Sequence, residues 1–106
     1  MSFRFMRIIV FFDLPTGSLE EKRAYRRFRK ALISTGFIMM QESVYSKIVL
    51  NKSVLDSVIK GLKERAPDKG LVQFLTVTEK QYNNIEYLVG ESKSETINNA
   101  KRLVVL

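Results

Sequence analysis

Cysteine and histidine are both absent from this chain of 106 residues. Without thiols there is no disulfide, no cysteine nucleophile and no zinc–thiolate site. Without imidazole, the general acid–base route of metal-independent ribonucleases is closed. Hydrolysis would have to run on carboxylates, Tyr, Lys or a metal-bound water. Long apolar runs are missing too: none approaches the ~20 residues of a membrane helix. The opening residues Met1 to Arg7 hold no signal-peptide hydrophobic stretch, so the expected location is the cytosol, with no membrane insertion. Negative charge is scarce, with 11 Asp and Glu against 18 Lys and Arg and a formal charge of +7. That imbalance points to an anionic partner, with nucleic acid ahead of a membrane surface.

What is present fits one compact domain. At 45% hydrophobic residues the chain carries enough apolar material to fold, and its length suits a single core. The run Met6-Arg7-Ile8-Ile9-Val10-Phe11-Phe12 alternates too little for a strand with one wet face, and reads as a strand covered on both sides. Asp13 closes it, the only acid in the first nineteen positions. Leu14-Pro15-Thr16-Gly17 then turns the chain. Between Lys22 and Lys30 follow six cations in nine residues: Lys22, Arg23, Arg26, Arg27, Arg29 and Lys30. A carboxylate at a strand end binds Mg²⁺ through oxygen, and Lys and Arg neutralise phosphates, so this edge suggests metal and phosphate binding. The plainer reading of Asp13 is an Asx turn or a cap.

Ser18-Leu19-Glu20-Glu21 has the form of a capping box, and Gly36 suits the C-terminal end of the helix it opens. At 100° per residue Ala24, Tyr25, Phe28, Ala31 and Leu32 share one stripe, and the six cations take the opposite arc. Strands are expected at 37–40 and 44–50, joined by Gln41-Glu42-Ser43. A second helix is expected over 53–65, burying Val54, Leu55, Val58, Ile59 and Leu62, and Ala66-Pro67-Asp68-Lys69-Gly70 ends it. A strand over 71–78, a polar connection over 79–84 and a short fifth strand over 85–89 complete the reading. Residues 91–106 form a polar segment closed by a small strand at 102–106, separate from a domain over 1–90.

This order gives an α+β class, the ferredoxin-like βαββαβ pattern with an extra C-terminal strand. Right-handed crossovers place both helices on one sheet face. The central first strand is apolar on both faces, so its other face needs a cover. A homodimer packed through the sheets, completed by the C-terminal strands, is the simplest closure.

The stretch Phe12-Asp13-Leu14-Pro15-Thr16, the basic helix and Gly36-Phe37-Ile38-Met39-Met40-Gln41-Glu42-Ser43-Val44-Tyr45 together resemble the Cas-two family of CRISPR-associated proteins. The resemblance spans Arg7 to about Val89. It implies a ferredoxin-like homodimer whose acidic strand ends face each other, Mg²⁺-dependent nuclease activity on RNA or duplex DNA, and a place beside the CRISPR integrase in spacer acquisition. By position Asp13 matches the metal-binding and catalytic aspartate of that family. Many members carry a further acid after the Ser-Val-aromatic motif; here Ser46-Lys47 stands there, and no second acid carries over.

The cationic arc has a bland alternative, a solvated helix face. Lys22–Arg26, Arg23–Arg27 and Arg26–Lys30 are like-charged i,i+4 pairs, which together cost the helix on the order of 1 kcal/mol, and a polyanion partner explains such a cluster better. Backbone neutralisation carries no base information, so binding is expected to ignore sequence. Tyr25, Phe28, Phe11 and Phe12 have the periodicity of core or interface rather than of base stacking. Arg4 and Arg7 flank the first strand and are candidates to extend the basic surface. Two readings follow: a DNA-holding platform beside the integrase, or a metal-dependent phosphodiesterase using Asp13 from two chains. A generic ferredoxin-like RNA-binding module without catalysis is the alternative to both.

Overall fold

The computed structural model describes residues 5–91. Its elements are β1 (Met6–Asp13), α1 (Leu19–Ser34), β2 (Ile38–Gln41), β3 (Val44–Val49), α2 (Lys52–Arg65), β4 (Leu71–Thr78) and α3 (Glu79–Asn83). The strands form one antiparallel sheet in the order β2-β3-β1-β4, which is the ferredoxin-like arrangement. β1 is central. It pairs with β3 from Met6–Val49 to Phe11–Val44 and with β4 from Met6–Thr78 to Asp13–Leu71.

Because side chains alternate along a strand, β1 splits into two sets. Ile8, Val10 and Phe12 point to the helices and join Leu14, Phe28, Leu32, Phe37, Tyr45, Val49 and Leu62 in the buried core. Phe28 of α1 is 1% exposed and meets Phe12 edge-on, with ring centroids 5.2 Å apart. Burying a side chain of that size contributes about 1.5–3 kcal/mol. α2 packs more loosely: of its expected apolar face only Leu62 is buried, while Leu55, Val58 and Ile59 are half-buried and Val54 is exposed.

The ends of α1 follow from its sequence. The Ser18 hydroxyl accepts from the Glu21 amide at 3.0 Å, and the Glu21 carboxylate accepts in return from the amides of Ser18 and Gly17 at 3.0 Å each. At the other end Gly36 adopts φ 103°. The Gly36 amide donates to the Ile33 carbonyl and the Phe37 amide to that of Leu32. This is the Schellman closure, and it tucks Phe37 into the core.

The second set on β1, Arg7, Ile9, Phe11 and Asp13, faces away from the helices. In the single chain, cover there is graded: Ile9 is 7% exposed, Phe11 37% and Asp13 exposed, which leaves open the face that the sequence expects a second copy to cover. Their neighbours on the same face include Ile48 of β3 and Leu71 and Leu75 of β4, all exposed. Exposure thus rises toward Asp13 along β1 itself, while the flanking strands leave apolar side chains open along the whole face.

The chain after β4 departs from expectation. Thr78 caps the Gln81 amide and Gln81 returns the bond to Thr78, a capping box that sends residues 79–83 into α3. Arg7 donates to Glu79 at 2.8 Å and lies 3.9 Å over the Tyr82 ring, tying α3 to the end of β1. The fifth strand expected over 85–89 is not formed. The Ile85 amide closes a turn on the Tyr82 carbonyl, Leu88 and Val89 are 100% and 91% exposed, and among the described residues no strand pairs with them. The terminal strand expected at 102–106 lies outside the described residues, as does nearly all of the separate 91–106 segment.

Candidate functional site

Asp13 stands where β1 leaves the sheet. It pairs with Leu71 at the start of β4, and its side chain is exposed. Three features fix its backbone. Phe12 before it is locked between Phe28 and the rings of Tyr25 and Tyr45, at centroid distances of 5.6 and 5.8 Å from the two tyrosines. Leu14 after it is buried. Across the strand gap, Gly70 at φ 98° comes so close that a Cβ on it would sit 2.7 Å from the Asp13 carbonyl oxygen. The carboxylate is therefore a solvent-facing oxygen ligand on a strand end whose backbone is closely packed on both sides.

The stretch Gln41 to Tyr45 has a structural role in this arrangement. Ser43 turns β2 into β3 with φ 68°, a left-handed conformation costly for a residue with a side chain. Its carbonyl accepts the Phe12 amide at 3.0 Å, and its hydroxyl shares a 3.0 Å hydrogen bond with the Tyr25 hydroxyl. Tyr45 is 1% exposed, and its buried hydroxyl is satisfied by the Arg29 Nε at 2.8 Å. The turn thus ties α1 to the strand end that carries Asp13.

All six cations of α1 are exposed, as the helical periodicity requires. Among the described residues the ion pairs are Arg7–Glu79 and Lys52–Asp56, so none of the six is paired with a carboxylate there. They are not equivalent. Arg29 is anchored to Tyr45, whereas Arg27 and Lys30 lean toward α2 and line one recess with Arg65. Arg7, a candidate to extend the basic surface, is instead neutralised by Glu79 and stacked on Tyr82; Arg4 lies outside the described residues. Sequence reasoning did not single out Arg65, although a cation in the last turn of α2 is a readable signal.

For a metal the donor set is incomplete in a single chain. Among the described residues no three His, Cys, Asp or Glu side chains group to hold an ion. Asp13 offers one hard oxygen ligand, which fits Mg²⁺ as part of a site, since that ion keeps several waters and needs one or two carboxylates.

A sheet of this order, an acid at the end of its central strand and a helix whose six exposed cations find no carboxylate among the described residues define a ferredoxin-like protein with one strongly cationic helix face. A solved structure described as "Crystal structure of cas2" shares this fold, with a TM-score of 0.61 over 85% of this chain and 92% of that one, at 24% identity. The family model for CRISPR associated protein Cas2 matches residues 6–85, and the chain belongs to that family. A Treponema denticola protein named CRISPR-associated endoribonuclease Cas2 is 55% identical, covering 95% of this chain and 100% of its own length. A Streptococcus mutans protein of the same name is 52% identical over 95% of this chain and 93% of its own. No helix among the described residues is long and apolar enough to cross a membrane.

Proposed function

We propose that this chain is a CRISPR adaptation protein: a homodimer that holds nucleic acid by its backbone beside the CRISPR integrase and carries a Mg²⁺-dependent endonuclease site at Asp13. The observation that carries the binding role is the exposed cationic arc of α1, whose members find no carboxylate among the described residues. The nucleic acid it holds is duplex DNA, and single-stranded RNA is a further candidate substrate. The names of the relatives support the endonuclease, and the graded apolar face of Phe11, Ile48, Leu71 and Leu75 supports pairing of two copies.

Within that reading, Lys22, Arg23, Arg26, Arg27 and Lys30 neutralise phosphates, and Arg29 does so while steadying Tyr45. Asp13 and its symmetry mate would hold the cation, which when bound neutralises developing charge and lowers the pKa of a water. Two facing carboxylates would otherwise repel. The locked backbone of Phe12, Asp13 and Leu14 keeps that pair in place.

Asp13→Asn tests the assignment. The variant should retain a light-scattering mass of twice the 12.3 kDa chain and wild-type affinity for duplex DNA, and lose Mg²⁺-dependent cleavage. Cleavage that persists in the variant, or in excess chelator, removes Asp13 from the chemistry. A 12.3 kDa particle at micromolar concentration removes the dimer. Spacer integration that survives in the variant identifies the platform as the cellular role.

A further inference from the structure

We propose that α1 and α2 together form a phosphate-binding cleft in which Arg65 joins Arg27 and Lys30 around a single backbone phosphate. This rests on the nucleic-acid reading of α1 and adds a residue from a second element to it.

Arg27, Lys30, Ala31 and Ser34 are spaced i, i+3, i+4 and i+7, so they form one row along α1. With Arg65 they line a recess of about 430 Å³. Ala31 is 8% exposed and short, which leaves a floor between the cationic arms. Among the described residues no carboxylate lines this recess. A neighbouring recess of about 360 Å³ shares Arg27 and Arg65 and adds Lys69, but Glu20, Glu21 and Asp68 in its wall offset those three cations, so it carries no excess of positive charge for an anion. The charge pattern therefore directs a phosphate to the Lys30 side.

The plainer account of Arg65 is complementarity to the dipole of α2, where it shares the last turn with Lys63. That explains one cation at that helix end. It does not explain why α1 presents two more to the same recess, in which the described residues place no carboxylate. The Ser34 hydroxyl donates to the Ala31 carbonyl at 3.1 Å, so the cleft has guanidinium and ammonium donors and no neutral one free for a base edge. Recognition is then of phosphate, without sequence preference. Guanidinium also grips two phosphate oxygens at once, which lysine does not.

The test uses the full chain and duplex DNA of two unrelated sequences, with affinity measured across a KCl series. Arg65→Gln should weaken both duplexes by roughly fivefold or more at low salt, as expected for losing one charged phosphate contact. The double variant Arg27→Gln/Arg65→Gln should flatten the log–log salt slope by about 0.9, the value for one phosphate. Lys60→Gln, an exposed cation of α2 outside the recess, should leave affinity within about twofold of wild type. A slope change near ~1.8 in the double variant means two separate contacts and overturns the shared cleft. Wild-type binding by Arg65→Gln, alongside weakened binding by Arg26→Gln, overturns the cleft and leaves the platform standing. If neither variant weakens binding, both the cleft and the platform fail.

Discussion

Alanine at Gly70 should destabilise this protein more than alanine at Gly36, although both glycines hold nearly the same backbone angle. Their φ values are 98° and 103°, a region where a side chain costs on the order of 1–3 kcal/mol in strain. At Gly36 the new Cβ would meet the Lys47 Nζ at 2.7 Å, the free end of a long chain that can swing aside. At Gly70 it would stand 2.7 Å from the Asp13 carbonyl oxygen, 2.8 Å from Leu14 Cδ2 and 3.1 Å from Leu14 Cα. Two of those atoms are backbone, and Leu14 is buried, so relief requires the ends of β1 and β4 to part. Strain alone gives Gly36→Ala a loss of about 1–2 kcal/mol. Strain plus the displaced strand pair gives Gly70→Ala about 2–4 kcal/mol. Urea unfolding of both variants, with unchanged m-values, measures the difference. Amide exchange at Phe12 to Leu14 should rise in Gly70→Ala alone. A Gly70→Ala loss no larger than that of Gly36→Ala would refute the claim that this contact clamps the Asp13 strand end.

Gly61 offers the opposite sign: it sits inside α2 with nothing within 4 Å of where a Cβ would stand, so Gly61→Ala should raise stability by about 0.5–1 kcal/mol in thermal melts. Phe28→Ala should remove about 3–5 kcal/mol in the same urea assay, because its ring is 1% exposed and holds Phe12 edge-on. The Glu21 carboxylate is held below its ordinary value, chiefly by the Ser18 amide, with the Gly17 amide and Lys69 assisting and desolvation opposing. A lowered folded value means its contribution is present above the unfolded value and fades as pH falls through the folded one. The start of α1 should therefore loosen only below about pH 4.3, and an NMR titration of the Glu21 side chain checks it.

The first strand, the capped basic helix and the strand–turn–strand after it are legible because local signals agree with tertiary ones. Met6 to Phe12 is apolar almost throughout, Ser18 and Glu21 cap reciprocally, and Gly36 ends the helix. The segment 85–89 misleads because its apolar residues look like a strand while the Thr78–Gln81 box before them diverts the chain into α3. The Thr78 box is written as plainly as the Ser18 one, but it sits at the end of a strong strand pattern that masks it. Asn51 likewise caps α2 one residue earlier than expected. Arg7 looks like free charge in the sequence because Glu79 lies 72 residues away and Tyr82 farther still. The same blindness hides Arg65, whose meeting with Arg27 and Lys30 depends on how α2 lies against α1. Asp13 stands out from its position alone, and what immobilises its backbone, Gly70 and Ser43, is visible only in three dimensions.

The Ser43 turn also divides the molecule in time. The bonds from Tyr25 to Ser43 and from Arg29 to Tyr45 close chain separations of only 18 and 16 residues, whereas β4 joins β1 across a span of 58 at Asp13–Leu71 (71 − 13) and 72 at Met6–Thr78 (78 − 6). Closing short loops costs less entropy before contacts reward it. The basic helix and its hairpin are then the part that assembles early, and β4 zips on last. Stopped-flow experiments should find Tyr25→Phe slowing refolding and Val72→Ala on β4 mainly hastening unfolding. A late edge strand that begins beside Asp13 would leave the acidic strand end incomplete until the basic helix and its hairpin have already formed.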